Sequence, residues 1–262
     1  MNIIDPTHVG GGVAVFLFVA IVVMLELGRR FAIRQAGREG ETTSEGRGAL
    51  AGAVYGLLAL ILAFTFSGAM SRFDTRRLQV VDEANAIGTA YLRVDLAPAA
   101  AQPALRDAFR RYLDARIGVY KKLPDLAAAH AELEQAKRLQ GEIWTLAVAA
   151  IRMPESHPSL TMLLLPALNQ MIDITTTRTM ATRIHPPAII FAMLVVLALV
   201  SAVLAGYGLG RGSSHRWLHT LGYAVILSVT VYVIIDIEFP RLGFIRIDTI
   251  DQALMDVRNS MK

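Results

Sequence analysis

The residues of this chain with the clearest capacity for chemistry lie on one face of a single predicted helix. At helical spacing, that face carries Val54, Leu58, Ile61, Thr65, Gly68, Arg72 and Arg76. If several copies of the helix surrounded an axis, the face would offer an apolar constriction, a hydroxyl and then a ring of arginines. This series is a workable route for anions, gated by dewetting. The alternative is that the face packs against another helix or lipid and the arginines anchor the membrane interface.

A stripe of small residues occupies the opposite side of the same helix. Its members are Gly52, Gly56, Ala59 and Ala63. Small side chains let two helix backbones approach closely in a membrane, so we predict a helix-packing role for this stripe.

Ionisable residues inside the apolar segments are few, and the first of them is Glu26. Arg29 and Arg30 follow it at helical spacing, so we predict an ion pair at the interface rather than an ion site. Arg77, on the charged continuation of the second segment, is placed in the same class of structural ion-pair residues.

Two carboxylates, Asp236 and Glu238, end the last apolar segment. A pair of carboxylates at a membrane edge could bind a cation, or it could meet Arg72 or Arg183 from another helix. Structural pairing is the preferred interpretation, because a buried charge requires a partner.

No pattern of an active site or a metal site occurs in the sequence. The chain has no cysteine, its six histidines are scattered, and no catalytic triad order, phosphate loop or metalloprotease spacing is found. Lysines and arginines are interspersed with acids at a net charge of +4, which argues against nucleic acid as a partner. We expect no enzyme activity, no cofactor and no metal.

Four segments have the length and composition of membrane spans. They are residues 11–27, 49–70, 187–210 and 217–237, each flanked by charged or aromatic residues. The second continues without proline into a charged helical segment as far as Leu96. This single helix would reach roughly 70 Å at 1.5 Å per residue, more than twice the hydrocarbon thickness. Nothing positive precedes the first segment, so we interpret it as a transmembrane helix and not a signal peptide.

The predicted fold is an all-α membrane protein of four transmembrane helices and an extramembrane helical bundle. Between the second and third spans, apolar residues recur at helical spacing between proline signals. We therefore divide the chain into 1–70 (spans one and two with an arginine-rich loop), 71–185 (helical domain), 186–238 (spans three and four) and 239–262 (amphipathic tail).

Charge asymmetry predicts the orientation. The loop between the first two spans, residues 29–48, carries five arginines against three glutamates, while no lysine or arginine precedes it. The positive-inside rule places that loop in the cytoplasm, so the N-terminus and the helical domain would be periplasmic in a bacterial inner membrane.

Three segments carry a resemblance to a known family. They are EANAIGTAYLR, preceded by an Arg-Phe pair and two arginines, ELGRR in the first span and DIEFPRLG after the fourth. Together they resemble the bestrophin-like domain family of bacterial and plant membrane proteins, over nearly the whole chain. That family is distantly similar to bestrophin ion channels, which are pentamers of four-span subunits with the second span around the pore.

The resemblance to bestrophins implies that the second span here is the pore helix. Arg72, Phe73, Arg77 and Asn85 reproduce an Arg-Phe pair, an arginine and an asparagine that follow that span in bacterial members. Two features depart from the pattern. Bestrophins keep the helical domain in the cytoplasm, and no acidic cluster here has the spacing of their calcium clasp.

The leading hypothesis is a homo-oligomeric, pentameric ion channel of the inner membrane, with anions favoured over cations. Its partners would be other copies of the chain, the lipid bilayer and inorganic ions. The rival hypothesis is a membrane-anchored sensor or scaffold whose helical domain binds a partner.

Overall fold

The structure is a computed structural model and describes residues 6–35, 44–123, 125–209, 216–239, 245 and 251–261. Within these ranges the chain forms eight α-helices and one short 3-10 helix, with no strand. The α-helices are α1 Pro6–Gln35, α2 Ser44–Leu92, α3 Gln102–Lys121, α4 Leu126–Ile151, α5 Ser159–Ala181, α6 Ala188–Leu209, α7 Arg216–Glu238 and α8 Gln252–Ser260, and the 3-10 helix is Arg93–Leu96. The prediction of an all-α membrane protein is confirmed.

Four helices are long and apolar enough to cross a membrane, as the sequence predicted. The candidate spans are Gly11–Gln35, Gly48–Leu96, Ala188–Leu209 and Trp217–Glu238. The predicted long second helix is continuous over Ser44–Leu92, which corresponds to about 73 Å at 1.5 Å per residue. Most of the arginine-rich loop, with Arg38 and Arg47, lies outside the described side chains, as do Arg211 and the tail residues Ile247 and Ile250.

The chain divides into two compact units. The first unit comprises Met1–Phe73 and His185–Ile245, and the second comprises Asp74–Ile184 and Arg246–Lys262. Helix α2 contributes its first part to one unit and its second part to the other.

The core of the first unit is apolar and is formed by α1, α6 and α7. Leu17, Ile21 and Leu25 of α1 are fully buried against residues such as Leu194 of α6 and Ala224 of α7. From α2, only Leu58 belongs to the buried part of this cluster.

Helices α1 and α6 approach each other closely at two glycines. A Cβ atom added to Gly206 would overlap the carbonyl of Leu25, and one added to Gly28 would overlap the carbonyl of Val203. Both obstacles are backbone atoms, which cannot rotate away as a side chain can. The two helices therefore meet backbone to backbone, which only glycine allows.

The second unit is a helical bundle around a larger core. Its buried residues come from the second half of α2 and from α3, α4, α5 and α8, with Leu105, Phe109 and Leu113 of α3 among the fully buried ones. The apolar residues that recur at helical spacing in the sequence of α3 thus form the face that packs in the core of the bundle. Leu254 of α8 is also fully buried in this core.

Helix α5 continues through two features that disfavour helices. Pro166 lies inside it and removes one backbone hydrogen bond. The run of threonines that follows is also helical, and its hydroxyls bond back to the preceding turn: Thr175 donates to the Met171 carbonyl and Thr177 to the Asp173 carbonyl.

We expect Gly206→Ala to destabilise the protein by about 1–3 kcal/mol, because the new methyl group has no room against the Leu25 backbone. Gly208→Ala is the matched control on the same helix, since a Cβ there meets nothing within 4 Å. Alanine is favoured over glycine in a helix, so the control should raise the midpoint of thermal unfolding in detergent while Gly206→Ala lowers it. A rise for both variants would contradict the close approach of α1 and α6.

Candidate functional site

The face of α2 predicted to line a pore is the face that α2 buries within its own subunit. Leu58 and Thr65 are buried, while Val54, Ile61 and Gly68 are half-buried. The Thr65 hydroxyl donates to the Ile61 carbonyl one turn earlier, at 2.7 Å. In the subunit, therefore, these side chains pack on the first unit, and the pore-lining role of this stripe stays a prediction.

The small-residue stripe of α2 is exposed in the subunit. Gly52, Gly56, Ala59 and Ala63 are all exposed, and a Cβ atom added to Gly52 or Gly56 would meet nothing within 4 Å. The described helices of the subunit thus leave this stripe uncovered. Its helix-packing role also stays a prediction.

A row of exposed residues lies directly opposite the buried stripe of α2. At 100° per residue, the positions opposite Leu58, Thr65 and Ala69 form what we call the outer row. The outer row consists of Ala53, Gly56, Leu60, Phe64, Ser67 and Ser71, each within about 60° of the direction opposite the buried stripe, and all six are exposed. Of these residues only Gly56 was named from the sequence, because spacing shows which residues share a face but not which face the rest of the chain covers.

Arg72 forms a bidentate ion pair with Glu238 at the end of α7. Its Nη2 lies 2.7 Å from Glu238 Oε2, and its Nε lies 3.0 and 3.1 Å from the two carboxylate oxygens. The Glu238 side chain is 1% exposed, so its charge is compensated by the protein and not by water. The sequence offered Arg72 or Arg183 as the partner, and the structure places Arg72 there.

His185 is the second partner of the same carboxylate. It precedes α6, and its Nδ1 lies 3.0 Å from Glu238 Oε1. The imidazole also lies against the Phe239 ring, with 4.6 Å between the ring centroids. Glu238 therefore joins α2 and the start of α6 through one buried carboxylate.

The other acids of the spans are also hydrogen-bonded. Asp236 Oδ2 accepts from the Ile245 amide at 2.8 Å, and its Oδ1 accepts from the Tyr232 hydroxyl at 3.3 Å. Glu26 accepts from both of its predicted partners, at 2.7 Å from Arg29 Nη2 and 2.9 Å from Arg30 Nε.

The two arginines that follow Arg72 on α2 are engaged within the second unit. Arg76 is buried and donates to the carbonyls of Ala181 and Ile184, both at 3.1 Å, where α5 ends. An arginine satisfies carbonyl groups at a helix C-terminus, which have no partner in the helix itself. Arg77 forms an exposed pair with Asp74, at 3.4 Å.

Further along α2, the stripe that contains Arg72 and Arg76 continues to Glu83. The Glu83 carboxylate is buried and forms ion pairs with two arginines. Arg116 Nε of α3 lies 2.6 Å from Glu83 Oε1, and Arg178 of α5 contacts Glu83 Oε2. All three side chains are buried. The Tyr120 ring lies beneath both guanidinium groups, 4.7 Å from that of Arg178 and 5.6 Å from that of Arg116.

A neutral polar network adjoins this charged cluster. The Tyr112 hydroxyl lies 3.0 Å from the Thr175 hydroxyl, and Gln140 Nε2 donates to Tyr112 at 3.2 Å. Burial raises the pKa of Tyr112 to about 12, so the phenol stays protonated at neutral pH. Helical spacing alone does not identify these partners, because Glu83, Arg116 and Arg178 lie on three different helices.

A family model described as the bestrophin-like domain matches residues 15–250 of the chain. The chain belongs to the bestrophin-like family. The resemblance inferred from the three sequence segments is thereby confirmed.

Solved structures share the fold of this bestrophin-like chain. A point mutant of a bacterial bestrophin homologue from Klebsiella pneumoniae has a TM-score of 0.63 at 18% identity, over 94% of this chain and 99% of the other. A second mutant of that homologue gives 0.61 at 16% identity, over 94% and 97%. A crystal structure described as a membrane protein gives 0.62 at 17%, over 94% and 99%. None of the curated proteins matches the chain.

We expect Glu83→Gln to destabilise the bestrophin-like fold by about 3–5 kcal/mol, because it leaves two buried guanidinium groups without a counter-charge. The matched control is Glu134→Gln, which removes an exposed carboxylate paired with Lys137 on α4. Thermal unfolding in detergent should show a large loss for Glu83→Gln and no measurable change for the control. Equal midpoints for the two variants would contradict the importance of the buried cluster.

Proposed function

We propose that the protein is a homo-oligomeric ion channel in which α2 lines the pore. Membership of the bestrophin-like family and similarity to bestrophin homologue structures over almost their whole length support a channel. One observation supports the place of α2 in it. The most apolar window of α2 is 11% buried in the subunit, compared with 22% for α1 and α6 and 39% for α7.

The chemistry of the exposed part of α2 favours protein neighbours over lipid. A helix that faces lipid on all sides carries bulky apolar side chains over its whole surface, whereas α2 exposes Gly52, Gly56, Ser67 and Ser71 beside Leu57, Leu60, Phe64 and Phe66. Glycines and hydroxyls are typical of helix interfaces in membranes and of surfaces that face water in a pore. The small-residue stripe would then meet a neighbouring copy.

In this proposal the pore is lined by the outer row, apart from Gly56, which belongs to the small-residue stripe. The outer row takes the place of the opposite stripe that the sequence predicted to line the pore. Because it lies opposite the buried stripe, it points away from α1, α6 and α7 and, in a ring of subunits, toward the axis. Leu60 and Phe64 are its large apolar members, 49% and 67% exposed in the subunit. They would form a constriction that is gated by dewetting, and Ser67 and Ser71 would provide hydroxyls beyond it.

The ion preference rests on fewer groups than the sequence indicated. Arg72 and Arg76 were predicted to attract anions, but Glu238 compensates the first and the end of α5 binds the second. The next charged residue at helical spacing beyond the outer row is Asp74, which pairs with Arg77. Anion preference therefore stays a prediction, supported by the net charge of +4 more than by a ring of free arginines.

The orientation of the protein in the membrane is also part of the proposal. We place the protein in a bacterial inner membrane with the N-terminus and the second unit in the periplasm, on the strength of the five arginines between residues 29 and 48. The pentameric subunit number follows from the bestrophin resemblance alone.

We expect Phe64→Ala to raise the single-channel conductance at least about twofold in planar bilayers, because it removes the largest side chain of the proposed constriction. Phe31→Ala is the matched control. It makes the same substitution at an apolar residue of α1 that is similarly exposed, 62% against 67%. The control should leave the conductance unchanged. Equal currents from wild type and Phe64→Ala would remove Phe64 from the pore.

A projection of the detergent-solubilised particle along its symmetry axis separates the channel from the scaffold hypothesis. We expect a ring of subunits with a central opening, because α2 is the candidate span that its own subunit covers least among the described residues. A monomer, or a dimer without an axial opening, would favour the membrane-anchored scaffold. The count of subunits in the ring tests the pentamer at the same time.

A further inference from the structure

The buried cluster of Glu83, Arg116 and Arg178 in the second unit contains more positive than negative charge. Glu83 supplies the one carboxylate, and both guanidinium groups bind it. The three residues are 0%, 1% and 6% exposed, in that order, and a buried charge without a counter-charge is costly. We propose that Arg178 binds a monovalent oxyanion through the side of its guanidinium group that Glu83 does not occupy.

Arg116 shows which side of a guanidinium group binds two oxygens at once. Its Nε lies 2.6 Å from Glu83 Oε1, and its Nη2 lies 3.1 Å from Oε2. These two nitrogens form the side edge of the group, where two N–H bonds point in the same direction. Nη2 of Arg116 also donates to the Tyr120 hydroxyl, at 3.0 Å. The side edge of Arg116 is therefore fully used.

Arg178 leaves the equivalent side edge unoccupied. It reaches Glu83 Oε2 through Nη1, and no group among the described residues accepts a hydrogen bond from its Nε or Nη2. Neither nitrogen is a fully enclosed atom without a partner, so both are accessible from solvent. The Tyr120 ring, 4.7 Å away, covers a face of the guanidinium group but not its edge. Two parallel donors are thus available beside a buried, incompletely compensated charge.

The acids of α2, α3 and α5 that the structure describes do not supply the missing negative charge. Asp82 and Asp173 are exposed to water. The remaining acids of these helices form exposed pairs elsewhere, which are Asp74 with Arg77, Asp107 with Arg111 and Asp114 with Arg258. A counter-charge from solution would complete the cluster.

The charge and the geometry of the site select the class of ligand. One negative charge neutralises the cluster, whereas a divalent anion would reverse its charge. An anion with two oxygens accepts from both donors of the side edge, but a halide offers them a single acceptor. Nitrate and formate have the required chemistry. Two hydrogen bonds to a charged group correspond to a dissociation constant of roughly 1–10 mM.

The first test is thermal unfolding of the full-length protein in detergent, which requires no channel activity. Sodium chloride is replaced by sodium nitrate or sodium formate at constant ionic strength. The general effects of these two salts on stability are opposite relative to chloride, so a rise with both identifies binding to the folded state. We expect a saturating rise of the midpoint by about 3–5 °C at tenfold excess over the dissociation constant. Absence of a saturating rise with either anion would overturn the proposal.

A pair of matched variants locates the binding site. Arg178→Lys keeps a positive charge beside Glu83 but lacks the planar edge with two donors, so we expect it to lose the saturating rise. Arg138→Lys makes the same substitution at an exposed arginine of α4 that donates to Gln135, and it should behave as wild type. The same dissociation constant in Arg178→Lys as in wild type would overturn the proposal, as would a loss of the rise in both variants.

Crystals of the wild-type protein soaked in perrhenate provide a measurement that does not depend on the folding of a variant. Perrhenate is a monovalent oxyanion, and its rhenium atom gives a strong anomalous signal. We expect an anomalous peak opposite Nε and Nη2 of Arg178, and an excess of nitrate should remove it. A map without a peak at this edge would overturn the proposal.

Discussion

The rotation of α2 about its own axis is the constraint on which the rest of the structure depends, and buried ion pairs fix it. In the first unit, Arg72 of α2 reaches the buried carboxylate of Glu238. In the second unit the polarity is reversed, and Glu83 of α2 is the buried carboxylate that holds Arg116 and Arg178. An apolar contact tolerates some rotation of a helix, whereas a bidentate guanidinium pair requires a specific geometry. In each unit, an ion pair therefore fixes which face of its own part of α2 is buried.

These pairs act through geometry more than through net stabilisation. Removing two charges from water costs several kcal/mol per ion, and their mutual attraction offsets this only with good hydrogen-bond geometry. The structure meets that condition, since Arg116 donates to both oxygens of Glu83, at 2.6 and 3.1 Å. The Tyr120 ring lies under the guanidinium groups of Arg116 and Arg178 as well. An alternative rotation of α2 would leave a buried carboxylate or guanidinium without a partner, which is far less favourable. The ion pairs fix which face of α2 is buried, and they thereby also fix which face of α2 stays exposed.

The sequence predicted the fold well and the site incompletely, for physical reasons that differ. The four spans follow from length and hydropathy, and the start of α6 after two prolines follows from the geometry of the first helical turn. The two faces of α2 were also recognised, because helical periodicity groups Leu58 with Thr65 and Gly52 with Gly56. Periodicity does not say which group the subunit covers. Nor did it identify Arg178 as a partner of Glu83, since 95 residues separate them and only tertiary structure brings them together.

Glycines of the membrane helices are covered where α1 and α6 meet and are exposed on α2. Gly28 and Gly206 are covered, because α1 and α6 meet backbone to backbone there. Gly52 and Gly56 of α2 present the same kind of surface, but nothing in the described subunit lies within 4 Å of an added Cβ. Glycine in a membrane helix forgoes side-chain packing, and it is compensated only when another backbone approaches. Gly52 and Gly56 thus leave on α2 an uncovered surface of the kind that α1 and α6 bury against each other, and the predicted helix-packing role of this surface rests on that likeness.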